Sequence, residues 1–345
     1  MEKIRLGQIG IGHNHGEAKM LAARKRPDLF EITGFAEEDE KWVEKRGERP
    51  GYRGLTRMSV EDVIEKSDAL LVECDVWDLT KYAKRCIDAG KHIHMDKPMS
   101  GSLADCKALL EAAEAKKRVV QLGYMYRYNP AIQEAIRRVQ NGELGEITSI
   151  NAEMSTFHNP VYREWLTGFQ GGIMYILGSH LLDLIIYILG EPERVVPFMK
   201  HSGLDGIDFE DNCLAVLEYE KALAKIFVSS VEVNGFGKRQ FFISGTKGSV
   251  NILPIERPTV MAWSDTKIAT DCYEDRKEII PVPNLSGSER YDGMMADFYD
   301  YIMGKKVNPF TYRHDYTVQK VLYEICGGDD ALKPGRTGVP GYDIV

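Results

Sequence analysis

Three groups of residues in this chain of 345 have the types and spacing to do chemistry. The run GIGHNHG sets Gly10 and Gly12 as Gly-x-Gly, followed directly by His13, Asn14 and His15. Lys97 stands between Asp96 and Pro98. His180 and Asp183 lie three residues apart in the otherwise apolar stretch IMYILGSHLLDLIIYILG, residues 173–190. A glycine turn between a strand and a helix brings backbone amides close to phosphates. A lysine ammonium polarises a reacting oxygen, an imidazole exchanges a proton near neutrality, and residues three apart share a helix face. A second pattern competes for the histidines. His13 and His15 repeat as His-x-His at His92 and His94, and on a strand such a pair points to one side. Zinc sites, however, add carboxylates or thiolates at recurrent spacings, and His92 and His94 fall in a run suited to a buried strand. The expectation is no metal site, with His13, Asn14 and His15 as loop residues near a phosphate.

These residues need elements to hold them. KIRLGQIG (3–10) is a short apolar run ending in glycine, and HGEAKMLAARK carries helix formers at helical spacing. FEITGFA (30–36), DALLVEC (68–74), KHIHMDK (91–97) and RVVQLGY (118–124) read as further strands. Helices are predicted over SVEDVIEKS (59–67), DLTKYAKRCIDAG (78–90) and LADCKALLEAAEAKK (103–117). Such alternation predicts a doubly wound parallel sheet, whose ligands bind beyond the carboxyl ends of the strands. GIGHNHG falls at one such end. Glu37 follows the second strand, where a carboxylate accepts hydrogen bonds from adenosine ribose hydroxyls and repels a 2′-phosphate. NAD is therefore expected in preference to NADP.

The composition narrows the partners. A net charge of −8 disfavours nucleic acid and anionic membrane surfaces, both of which need a basic face. The 6 cysteines are scattered with no CxxC pair, which points to a reducing, cytoplasmic setting. The stretch 173–190 has the length of a membrane span, but Asp183 near its middle would cost about 2.5–3.5 kcal/mol there. A buried helix is predicted instead.

GKHIHMDKPMSGSLADCKALLEAAE, around Asp96-Lys97-Pro98, resembles the Gfo/Idh/MocA family of NAD(P)-dependent oxidoreductases, whose usual Glu-Lys-Pro has Asp96 here. GYMYRYNPAIQEAIRRVQNGELGEITSI is similar to the family's passage into its second domain. GGIMYILGSHLLDLIIYILGEPERV is similar to its central helix, with Gly178, His180 and Asp183 as the Gly-x-His-x-x-Asp element, and FFISGTKGSVNI to its Gly-Thr-x-Gly hairpin. The resemblance implies an α/β protein with an N-terminal Rossmann domain over 1–123. A second α/β domain over 124–345 would be built on a large, mostly antiparallel open sheet, with late helices able to pack back on the first domain. The β-rich runs EITSINAEMS, DNCLAVLEY, LAKIFVSSVEV, RQFFISG and SVNIL agree with that sheet. Pairing of such sheets implies a homodimer or homotetramer.

Residues and resemblance together imply a dehydrogenase acting on CH–OH groups, with a sugar or polyol as substrate. Lys97 and His180 are the catalytic candidates, and Asp183, Arg127, Tyr124, His158 and Trp165 the substrate-binding ones. Gly10, Gly12, His13, Asn14, His15, Glu37, Cys74, Asp96, Lys97 and Pro98 are the cofactor-binding candidates. Some positions depart from the family. Ile176 stands one helical turn before His180, where many relatives have aspartate. Cys74-Asp75-Val76 replaces Thr-Pro-Pro, and Leu79 replaces a common histidine. These departures leave two alternatives open: a glycosidase or lyase that oxidises its substrate only transiently, and a non-catalytic NAD-binding regulator.

Overall fold

The computed structural model describes residues 2–333, which form two compact units. The first takes residues 2–125, 287–319 and 329–333 of those described, and the second residues 126–286 and 320–328.

In the first unit, β1 (Ile4–Ile9), α1 (Gly16–Arg24), β2 (Phe30–Ala36), α2 (Glu40–Arg46), α3 (Val60–Lys66) and β3 (Ala69–Val72) follow one another. Then come α4 (Leu79–Asp88), β4 (His92–Met95), α5 (Leu103–Ala115) and β5 (Val120–Leu122). The five strands are parallel, in the order β2-β1-β3-β4-β5. Every residue of β3 is buried, as a parallel strand covered on both faces requires. Ser59 caps α3 by accepting from the Asp62 amide, and Ser102 with Asp105 closes a reciprocal capping box on α5. The chain leaves β1 for β2 on one side and returns to β3 on the other. That reversal opens a crevice at the carboxyl ends of β1 and β3, where a ligand fits.

The second unit contains α6 (Pro130–Gln140), β6 (Ile147–Glu153), α7 (Pro160–Leu166) and α8 (Ser179–Leu189). Its remaining strands are β7 (Arg194–Lys200), β8 (Asn212–Glu218), β9 (Leu223–Ser229), β10 (Gln240–Gly245), β11 (Gly248–Ile252), β12 (Val260–Asp265) and β13 (Glu278–Pro281). They form an 8-stranded sheet, β13-β12-β11-β10-β6-β9-β8-β7, antiparallel except where β6 meets β9. The sequence did not single out β7, β12 or β13. β7 carries Pro197, which an edge strand tolerates, and β13 is only 4 residues long. Cys213, Ala215 and Leu217 of β8 and Ala224, Ile226 and Val228 of β9 alternate into the core, and α8 packs on β6 and β9. Leu214, Val216 and Phe242 point to the other face and are half-buried.

Two late helices complete the fold. α9 (Asp292–Ile302) belongs to the first unit, where the Gln121 amide donates to Met294 O at 3.1 Å and the Tyr299 hydroxyl to Glu2 O at 2.9 Å. α10 (Tyr312–Cys326) begins in the first unit and ends in the second. No helix among the described residues is long and apolar enough to cross a membrane.

Candidate active site

All five strand ends of the first unit carry candidate residues. After β1, Gly10 takes φ +82° and lies against Cys74, whose backbone a Cβ at Gly10 would strike. Only glycine suits both demands. A Cβ on Gly12 would come within 2.8 Å of the Trp42 indole, so the turn is packed tightly from beneath. The buried Arg46 guanidinium donates to the carbonyls of Ile11 (3.3 Å) and His13 (2.9 Å) and to the Asn14 side chain (3.3 Å). Asn14 is therefore held by α2. After β2, Glu37 accepts the Ile11 amide at 2.8 Å and the Asp39 amide at 3.0 Å. Burial raises its carboxyl, and those two amides oppose the rise.

After β3 come Glu73, Cys74 and Asp75. Burial pushes the Cys74 thiol well above its ordinary range, so it packs as a small apolar group rather than a nucleophile. Burial, reinforced by Glu37, raises Asp75 to about 6. After β4, Asp96 is fully buried and its Oδ1 accepts the Lys97 amide at 2.7 Å. Lys97 itself is buried, before a cis peptide to Pro98.

His13 and His15 turn inward. Their Nδ1 atoms lie 3.0 and 3.1 Å from Asp96 Oδ2. Lys19 of α1, wholly buried, reaches Glu73 Oε1 at 2.8 Å and Asp96 Oδ2 at 2.6 Å. Sequence reasoning passed over Lys19 and Glu73. The signals available were a lysine on the inner face of an amphipathic helix and a lone acid closing an all-apolar strand. His92 and His94 do not join the loop histidines in one face-sharing pair. His92 Nδ1 accepts the Val119 amide at 3.0 Å, while His94 Nδ1 meets Gln121 Oε1 at 2.8 Å. Tyr124 is buried just beyond β5.

In the second unit the residues before α8 form a π-helical turn, Met174–Gly178. Ile176 lies inside it, so its spacing to His180 is not that of a regular α-turn, as the sequence had suggested; such turns recur at functional sites. His180 is buried with its ring 5.3 Å from Tyr126, whose hydroxyl donates to Glu256 at 2.7 Å. Arg127 and Asp183 pair with each other: Nε donates to Oδ2 at 2.9 Å and Nη2 to Oδ1 at 2.6 Å, with both side chains buried. The sequence treated them as separate substrate contacts and gave no sign of this fork. Removing either partner would strand a buried charge at a cost of about 3–5 kcal/mol. His158 stacks on Tyr162 at 4.2 Å, and Tyr162 lies 5.3 Å from Trp165. Burial, then the Arg239 and Arg163 charges, lower His158 to about 3, so this ring is neutral at ordinary pH.

This geometry has close relatives. Residues 4–124 match the description "Oxidoreductase family, NAD-binding Rossmann fold", and residues 132–251 match "GFO/IDH/MocA C-terminal domain". The chain is 30% identical over 250 residues to the uncharacterized oxidoreductase YhhX of Escherichia coli K12, covering 71% of this chain and 70% of that one. It is 28% identical over 296 residues to the scyllo-inositol 2-dehydrogenase (NAD(+)) of Bacillus subtilis 168, covering 79% of each. A solved levoglucosan dehydrogenase, in complex with NADH and levoglucosan, superposes with a TM-score of 0.80 at 18% identity, covering 97% of this chain and 100% of that one. With both domain descriptions matched in order and a relative at this identity, the chain belongs to the Gfo/Idh/MocA family of oxidoreductases.

Proposed function

We infer that this protein is an NAD-dependent dehydrogenase oxidising a secondary alcohol of a sugar, polyol or related compound. The observation that carries the reading is the glycine turn at the β1–β3 crevice with Glu37 bonded to its Ile11 amide. A tight glycine turn that admits no Cβ at Gly10, beside a carboxylate, fits a dinucleotide with a free ribose 2′-hydroxyl. Gly10, Gly12, Glu37 and Cys74 would hold that cofactor, with Lys97 and Pro98 beside its nicotinamide end. Bound NAD supplies the hydride acceptor.

The chain's own residues supply the rest. Lys97 polarises the reacting oxygen and stabilises the alkoxide as it forms. His180 takes the hydroxyl proton. Asp183, clamped by Arg127, orients the substrate. Relatives named for inositol and levoglucosan oxidation support a cyclic polyhydroxylated substrate. The half-buried outer face of the 8-stranded sheet supports a homodimer or homotetramer.

The test is a panel of sugars and polyols with NAD, followed by NADH absorbance. At least one compound should give NADH in proportion to alcohol consumed, and Lys97→Ala should lower that turnover by roughly a hundredfold or more while NAD still binds. Turnover that needs only a catalytic amount of NAD, or an unimpaired Lys97→Ala enzyme, would refute the reading.

A further inference from the structure

Beneath the glycine turn lies a set of ligand atoms that dinucleotide binding leaves unexplained. Asp96 Oδ2 is approached by Lys19 Nζ at 2.6 Å, His13 Nδ1 at 3.0 Å and His15 Nδ1 at 3.1 Å. His13 Nδ1 also receives the His15 backbone N–H at 3.3 Å. A ring nitrogen that accepts a hydrogen bond presents a lone pair. Facing Asp96 Oδ2, that lone pair is repelled unless a positive charge stands between them. Glu73 Oε2 lies beside the set. It is buried, has no hydrogen-bond partner among the described residues, and lies 3.9 Å from His13 Nδ1. The other Glu73 oxygen is the one Lys19 holds.

We propose that His13 Nδ1, His15 Nδ1 and Asp96 Oδ2 form a binding site for one divalent transition-metal ion of the zinc type, with Glu73 as an outer contact. Bonds of about 2.0–2.1 Å in a tetrahedral site imply ligand-to-ligand edges of about 3.3–3.4 Å. The separations of 3.0 and 3.1 Å from the two ring nitrogens to Asp96 Oδ2 lie close to that value. Two imidazoles with carboxylates suit zinc or cobalt, whereas magnesium and calcium favour all-oxygen shells. Lys19 serves as a further outer contact that fixes both carboxylates. The ion would tie the β1 turn to the ends of β3 and β4. The site is independent of the nicotinamide reading, because its ligands are all protein atoms of one unit. It revises the sequence expectation of no metal, with Asp96 in place of His92 and His94.

The competing arrangement has Lys19 as the only resident cation, and the experiment separates the two. Tag-free protein is stripped with a chelator, checked for metal by mass spectrometry and titrated with Co²⁺ alone, without NAD. One equivalent should produce the intense visible absorption of a four-coordinate nitrogen–oxygen site, and Zn²⁺ should abolish it. His15→Ala and Glu73→Gln should each weaken Co²⁺ binding by at least about tenfold, with circular dichroism confirming that they fold. If the wild-type protein takes up no stoichiometric Co²⁺, gives only a weak six-coordinate spectrum, or keeps the same spectrum in folded His15→Ala, the proposal is wrong. The wild-type titration decides the matter even if both variants fail to fold.

Discussion

At the residue scale, the proposed preference for NAD rests on Glu37. Its carboxylate is fixed by the Ile11 and Asp39 amides, so it is preorganised toward the crevice rather than free to swing into solvent. Hydrogen bonds from hydroxyls to a charged acceptor contribute about 1.5–3 kcal/mol. Glu37→Ala should therefore weaken NAD binding by roughly tenfold to a hundredfold, and leave NADP binding unchanged or improved. Fluorescence titration with the two cofactors checks this, and an equal loss for both would show that Glu37 does not read the ribose. The place of Glu37 and Lys97 at strand ends was legible from the alternation of strands and helices, and the burial of His180 and Asp183 from the apolar run around them; their roles are proposals. The Arg127–Asp183 fork and the Lys19–Glu73–Asp96 cluster were not legible. Their members are separated by 56, 54 and 77 positions, and no local pattern encodes such pairings.

At the element scale, the β1 turn tolerates little change. Gly10 combines a left-handed backbone with contact against the Cys74 main chain, which cannot move without shifting β3. The conformational part alone costs about 1–2 kcal/mol for any other residue, before the collision. Gly10→Ala should lower the thermal midpoint and abolish NAD binding together. A variant that kept full stability and affinity would contradict the described turn. Parallel strands and their helices were readable from period and caps, as Ser59 and Ser102 illustrate. The π-helical turn before α8 was not, because the apolar run 173–190 has no break in its sequence to mark it. The edge strands β7 and β13 escaped for a related reason. They bury little, so their alternation is weak.

At the scale of the whole molecule, the 8-stranded sheet has one face packed by α8 and the other lined by half-buried Leu214, Val216 and Phe242. A partly apolar sheet face of this kind favours pairing with a second copy. Light scattering should give the mass of a dimer or tetramer, and Phe242→Asp should shift it toward the monomer. A monomeric wild-type protein would remove this proposal.

The first unit is not contiguous in sequence. Residues 2–125 are completed by 287–319, through contacts such as Gln121 with Met294, Phe30 with Tyr299 and Tyr312 with the Arg118 carbonyl at 2.7 Å. This has a consequence for synthesis on the ribosome. Residues 2–125 emerge before 287–319, so the dinucleotide unit lacks α9 and the start of α10 until the strands of the second unit have been made. The sheet of the second unit, whose strands all lie between 147 and 281, can close before then. The earlier segment thus reaches its finished form after the later one.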